Sequence, residues 1–150
     1  KVVVTYPTKE EEIAIMKKMS TRQTEPIKKT LSAEKINQIK AIVDQIFLDE
    51  KLYDYVANIV FSTRNPDAFG LKDLVPLIEY GASPRASICL IQASKAYAFL
   101  QGRGYVTPQD IKSIGMDILR HRVLVSYEAE AQDQTSDDII TKIFNKIDVP

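Results

Sequence analysis

The sequence predicts a mainly α-helical bundle with minor short β-strands. Three observations predict it. Apolar residues recur at three- and four-residue spacing along most of the chain, which is the period of a helix with one buried face. Helix-start signals precede several of those stretches, at Thr8 to Glu11, Ser32, Asp49, Ser83-Pro84 and Thr107-Pro108. The chain has 150 residues, 45% of them apolar, enough to fill a core at a length typical of one domain or two small ones.

Residues 2–6, with Val2, Val3, Val4, Thr5 and Tyr6, read as a short strand that Pro7 ends. Thr8 and Glu11 have the spacing of a capping box, so a first helix runs from about 9 to 19. Residues 20–31 read as a polar linker containing Pro26. Ser32 caps a second helix with the stripe Ile36, Ile39, Val43 and Ile46. Asp49 caps a third, with Leu52, Tyr55, Val56, Ile59 and Val60 on one face, and Asn65-Pro66 stops it. Pro76 leaves 71–79 only a short, broken helix.

The helix from 84 to about 101 is the most apolar. Ala86, Cys89, Leu90, Ala93, Tyr97 and Leu100 form one stripe, and Ile88, Ile91 and Phe99 widen it. Ser87, Ser94 and Gln101 leave a thin polar strip. A helix apolar on most sides is packed by several neighbours. Gly102-Arg103-Gly104 terminates it, and Tyr105-Val106 is extended. Thr107, Pro108 and Asp110 start a helix over 108–118 carrying Ile111, Ile114 and Ile118. Val123 to Val125 is a second extended stretch. Residues 127–138 hold five acids and no base and read as a solvated loop. A last helix over about 136–147 aligns Ile139, Ile140, Ile143, Phe144 and Ile147.

Twenty acids balance twenty bases, and no basic half or basic helix face suggests nucleic acid or a helix-turn-helix reader. One cysteine, Cys89, excludes an internal disulfide and suits a reducing cytoplasm; its helical apolar surroundings suit a small core residue. No apolar run approaches the ~18–20 residues of a membrane span. The opening residues are too short for a signal peptide and lack an initiator Met, which fits an internal stretch of a longer chain.

Most site chemistry is missing. There is no G-x-x-x-x-G-K-S/T loop among the five glycines, no C-x-x-C, and a single histidine. Glu128, Glu130, Asp133, Asp137 and Asp138 do not have metal-loop spacing. Arg120-His121-Arg122 reads either as a structural turn after a helix or as a basic edge facing phosphate or a neighbouring subunit. The two arginines disfavour protonation of His121.

One feature stands against that background. In Gly81-Ala82-Ser83-Pro84-Arg85-Ala86, Ser83 takes the cap, Pro84 the first helical position and Arg85 the second. The helix dipole disfavours a cation there by ~0.3–1 kcal/mol. Either the long side chain swings away, or it is held for an anion, since helix starts already point free N–H groups at phosphates.

Gly81 to Ala86, then Gly-Arg-Gly-Tyr-Val-Thr-Pro-Gln-Asp-Ile over 102–111, then Leu119 to Val123, resemble the C-terminal lid of MoxR-type AAA+ ATPases. So do Tyr6 to Glu12, Leu31 to Glu34, Thr135 to Ile140 and Val149-Pro150, so the resemblance spans essentially the whole chain in order. It implies a helical AAA+ lid-type bundle. Residues 1–6 would be the last strand of an α/β ATPase core or the connection leaving it. Residues 7–80 would form a helical connector with the lid's first helices, and 81–150 the C-terminal lid.

The resemblance also implies that Arg85 is a sensor-2 arginine on the γ-phosphate of ATP, with Ser83 and Pro84 setting its helix start. The sensor can serve a neighbouring subunit in a ring, usually a hexamer, with ATP and Mg²⁺ as cofactors of the intact protein. It implies a chaperone-like remodelling ATPase serving metal insertion or complex maturation, often with partners carrying von Willebrand factor A domains. The Walker and arginine-finger residues would precede Lys1. This chain alone is therefore expected to bind no cofactor and to hydrolyse nothing. The contrasting expectation is a free-standing helical interaction module without nucleotide.

Overall fold

Four small or slender residues explain how the molecule is assembled. Helix α4 (Pro84–Leu100) buries Ala86, Leu90, Ser94 and Ala98, one per turn, along a single line. Small side chains on that line let neighbouring helices approach closely. The structure, a computed structural model, describes residues 1–21, 26 and 28–150. Around α4 pack α2 (Ala33–Asp44), α3 (Glu50–Ser62) and α5 (Pro108–Leu119). A short α6 (Tyr127–Ala131) and α7 (Ser136–Lys146) complete the body, and α1 (Lys9–Ser20) precedes it.

The expected core faces of α3 and α7 are buried as read: Leu52, Tyr55, Val56, Ile59 and Val60 on one, Ile139, Ile140, Ile143 and Phe144 on the other. Ile111, Gly115 and Leu119 face inward from α5. Gly115 is required there, because a Cβ would stand 2.2 Å from Cζ of Phe144. The mainly α fold class is thus correct, with one two-stranded sheet among the described residues.

Several expectations fail for physical reasons. Ser94 is not on a solvent strip: it is wholly buried, its Oγ donating to the Leu90 carbonyl at 2.6 Å. That bond satisfies the hydroxyl within its own helix, so serine packs as a small core residue. The apolar surround of α4 is also incomplete, since Ile88 is 56% and Leu100 76% exposed. No residue of α2 is buried; of its stripe only Ile46, beyond the helix end, joins the core.

Residues 2–6 form no strand and leave Val2, Val3, Val4 and Tyr6 exposed. Their β-propensity finds no partner edge among the described residues. The strand that does form with the second extended stretch is β1 (Ile78–Tyr80), antiparallel to β2 (Leu124–Val125), pairing Ile78 with Val125 and Tyr80 with Leu124. The broken helix is a 3₁₀ segment, Lys72–Leu77, that runs directly into β1. The acidic stretch contains α6 instead of being loop throughout. Ser126 caps it, accepting from Ala129 N–H at 3.2 Å and donating to the Pro76 carbonyl at 2.6 Å. Within the expected linker, 22–25 and 27 lie outside the described residues; the described remainder beyond Ser20 forms neither helix nor strand.

Candidate functional site

The turn before α4 is a tightly constrained loop next to a charged residue. Gly81 has no room for a side chain: a Cβ would lie 2.3 Å from the Thr63 carbonyl oxygen and 2.7 Å from Cγ of Arg64. Ala82 is fully buried, and its N–H donates to Thr63 Oγ1 at 2.8 Å. Thr63 follows α3 and donates the same hydroxyl to the Val60 carbonyl at 2.7 Å. Ala86, also fully buried, closes the first turn by donating to the Ser83 carbonyl at 2.8 Å.

Between these buried alanines stand Ser83, Pro84 and Arg85, all exposed. Pro84 occupies the first turn as expected. Ser83 takes the N-cap backbone conformation, with φ −80° and ψ 169°, but its side chain makes no capping hydrogen bond. The cap is therefore one of backbone shape, and its hydroxyl is left facing solvent. Arg85 makes no ion pair among the described residues. A cation disfavoured by its own helix thus also lacks a carboxylate to compensate it. Beside the turn, Arg64 lies over the Phe61 ring at 4.3 Å. Arg64 and Gly81 line a cleft of about 360 Å³ shared with Val75 and Tyr80. No sequence signal marked Thr63 or Arg64, because their roles depend on a contact across 19 residues of chain.

Residues 75–143 match the AAA lid domain family. Over all 150 residues the chain is 35% identical to the chaperone MoxR1 of Mycobacterium tuberculosis, covering 40% of that protein. This chain carries a MoxR-type AAA lid domain. The lid is also 28% identical over 146 residues to the uncharacterized protein YeaC of Bacillus subtilis, covering 97% of this chain and 43% of that one. A crystal structure of a candidate ATPase from Cytophaga hutchinsonii superposes with a TM-score of 0.90 at 36% identity, covering 98% of this chain and 45% of that one. The chain spans less than half the length of these relatives. The matched region includes α4 with Arg85, as well as α5 and α6.

The lid's other charged motifs are engaged internally. Arg120 holds Asp137 with two donors, at 3.1 and 3.0 Å, joining the end of α5 to the start of α7. Arg122 donates to the Ile118 carbonyl at 2.9 Å and to Cys89 Sγ at 3.5 Å. Burial first, and then nearby positive charge including Arg122, lowers the His121 pKa. These contacts favour the structural-turn reading of Arg120 to Arg122. Arg103 and the buried Asp110 fasten the loop after α4 to the first turn of α5. Burial alone would raise the Asp110 carboxyl, but the Arg103 and Thr107 donors outweigh it and hold it below its ordinary value. Asp138 accepts from Thr135 in the α7 cap. Cys89 is half-buried rather than a core residue. Among the described residues no group of three or more His, Cys, Asp or Glu could hold a metal, and no helix is long and apolar enough to cross a membrane.

Proposed function

We propose that this lid works within a ring-forming AAA+ ATPase, where Arg85 acts as the sensor-2 arginine on the γ-phosphate of ATP. The observation that carries this reading is the exposed guanidinium, without an ion-pair partner among the described residues, in the first turn of a helix whose start is packed in place. A guanidinium fork suits phosphate oxygens and keeps its charge at every working pH. Held on a packed helix, it can stabilise charge that develops during phosphoryl transfer without first reorganising. Nothing in the described residues offers Mg²⁺ a ligand cluster. The metal and the attacking water therefore belong, in this reading, to the nucleotide-binding core of the same protein.

The rest of the proposal follows the family. The intact protein assembles as a homo-oligomer, a hexameric ring, in which Arg85 serves its own or a neighbouring subunit's site. It acts in the cytoplasm as a chaperone-like remodelling ATPase for metal insertion or complex maturation, with von Willebrand factor A domain proteins as partners. The mycobacterial relative is named as a chaperone, which supports the remodelling role. A single cysteine suits the compartment.

The test is Arg85→Ala in the full-length protein. Arginine fingers contribute ~10³–10⁵ in rate, and a sensor arginine is expected to contribute at least about tenfold in kcat. The exposed position means the lid keeps its thermal midpoint. Wild-type ATP turnover by the variant rules out the sensor role.

A further inference from the structure

We infer that Thr63 is a positioning residue for Arg85. The inference rests on the phosphate-contact reading of Arg85 and names what aims it. Thr63 is 1% exposed and sits where α3 ends, far from α4 in sequence. Its hydroxyl has one proton, and that proton goes to the Val60 carbonyl at 2.7 Å. The hydroxyl oxygen is thereby oriented to accept from the Ala82 N–H at 2.8 Å. The Thr63 carbonyl meets Gly81 so closely that no Cβ fits between them. One residue thus fixes two consecutive positions of the turn, by a hydrogen bond at Ala82 and by contact at Gly81. Three residues after Ala82 comes Arg85, whose own side chain touches nothing that would aim it among the described charged groups. Its direction is therefore inherited from the backbone of the turn. A displacement of about 1 Å at a catalytic group can cost on the order of a hundredfold in rate.

The test is a double-mutant cycle in the full-length protein, read as ATP turnover. Thr63→Val keeps the shape and removes the hydroxyl, and is expected to lower kcat about tenfold to a hundredfold. Because Thr63 acts through Arg85, the Thr63→Val/Arg85→Ala double variant should fall no further than Arg85→Ala alone. Thr63→Ser retains the hydroxyl and should stay within about threefold of wild type. Independent, multiplying losses, or wild-type turnover by Thr63→Val, overturn the positioning role and leave that of Arg85 intact. Wild-type turnover by Arg85→Ala overturns the phosphate contact, and the positioning role with it. If circular dichroism shows that Thr63→Val does not fold, Thr63→Ala, which removes the hydroxyl without setting a new methyl against the Val60 carbonyl and the Ala82 N–H, takes its place in the cycle and the same outcomes decide.

Discussion

Replacing Asp110 by Asn probes the latch between the end of α4 and the start of α5. The carboxylate accepts on Oδ2 from Arg103 Nη1 at 2.8 Å, from Thr107 N–H at 2.7 Å and from Thr107 Oγ1 at 2.9 Å, and on Oδ1 from Arg103 Nη2 at 2.5 Å. The amide keeps one acceptor oxygen and turns an NH₂ group toward donors. A hydrogen bond to a charged group contributes ~1.5–3 kcal/mol, and a helix cap ~0.5–2 kcal/mol. Breaking a fully buried pair costs ~3–5 kcal/mol. Here the Asp110 side chain is 3% exposed but that of Arg103 is 27%, so water recovers part of the orphaned cation. The expected loss is about 2–3 kcal/mol, or roughly 4–12 °C in Tm for a chain of this length.

Thermal unfolding followed by far-UV circular dichroism at neutral pH reads it directly. The pH dependence adds a second constraint. The folded-state pKa of Asp110 lies below its ordinary 3.8, so its stabilisation is complete above that value and is lost as pH falls through the folded value. The gap between wild type and variant should therefore close in strong acid. A neutral-pH Tm within about 1 °C of wild type, or a gap undiminished by acid, refutes the reasoning.

Gly115→Ala should destabilise the lid by about 1–2 kcal/mol: helix propensity favours alanine by ~1 kcal/mol, but the new Cβ overpacks against the Phe144 ring. Urea unfolding measures it, and adding Phe144→Leu should restore part of the loss. Arg120→Ala should cost only about 1 kcal/mol, because its partner Asp137 is 47% exposed. The same urea titration checks it, and raising the salt concentration should shrink the difference.

The parts of this fold legible in the sequence were those with local causes. Thr8 with Glu11 and the proline starts at Pro84 and Pro108 are read within four residues of chain, and all three begin helices. The faces of α3 and α7 were legible because the apolar period alone decides which side is buried. What escaped was non-local. Tyr80 pairs with Leu124 across 44 positions, and no pattern near Pro76 announces that partner. Ser94 looked polar because its satisfaction by Leu90 depends on helix geometry. The candidate site divides the same way. Arg85 was visible from its helix position; Thr63, which holds the turn in place, was visible only once α3 and α4 were side by side.

The two fastenings of α4 have a mechanical meaning. Its 17 residues make a rod about 25 Å long. Thr63 ties the turn at one end to α3, and the Arg103–Asp110 pair ties the loop at the other to α5. A rod held at both ends cannot slide along its axis past its neighbours. Its leading end changes position only when the surrounding body turns with it. A rotation of about 5° around the far end carries the start of α4 through about 2 Å, enough to make or break a hydrogen bond. A small angular movement of the whole lid thereby becomes a displacement of a few ångströms at the helix tip.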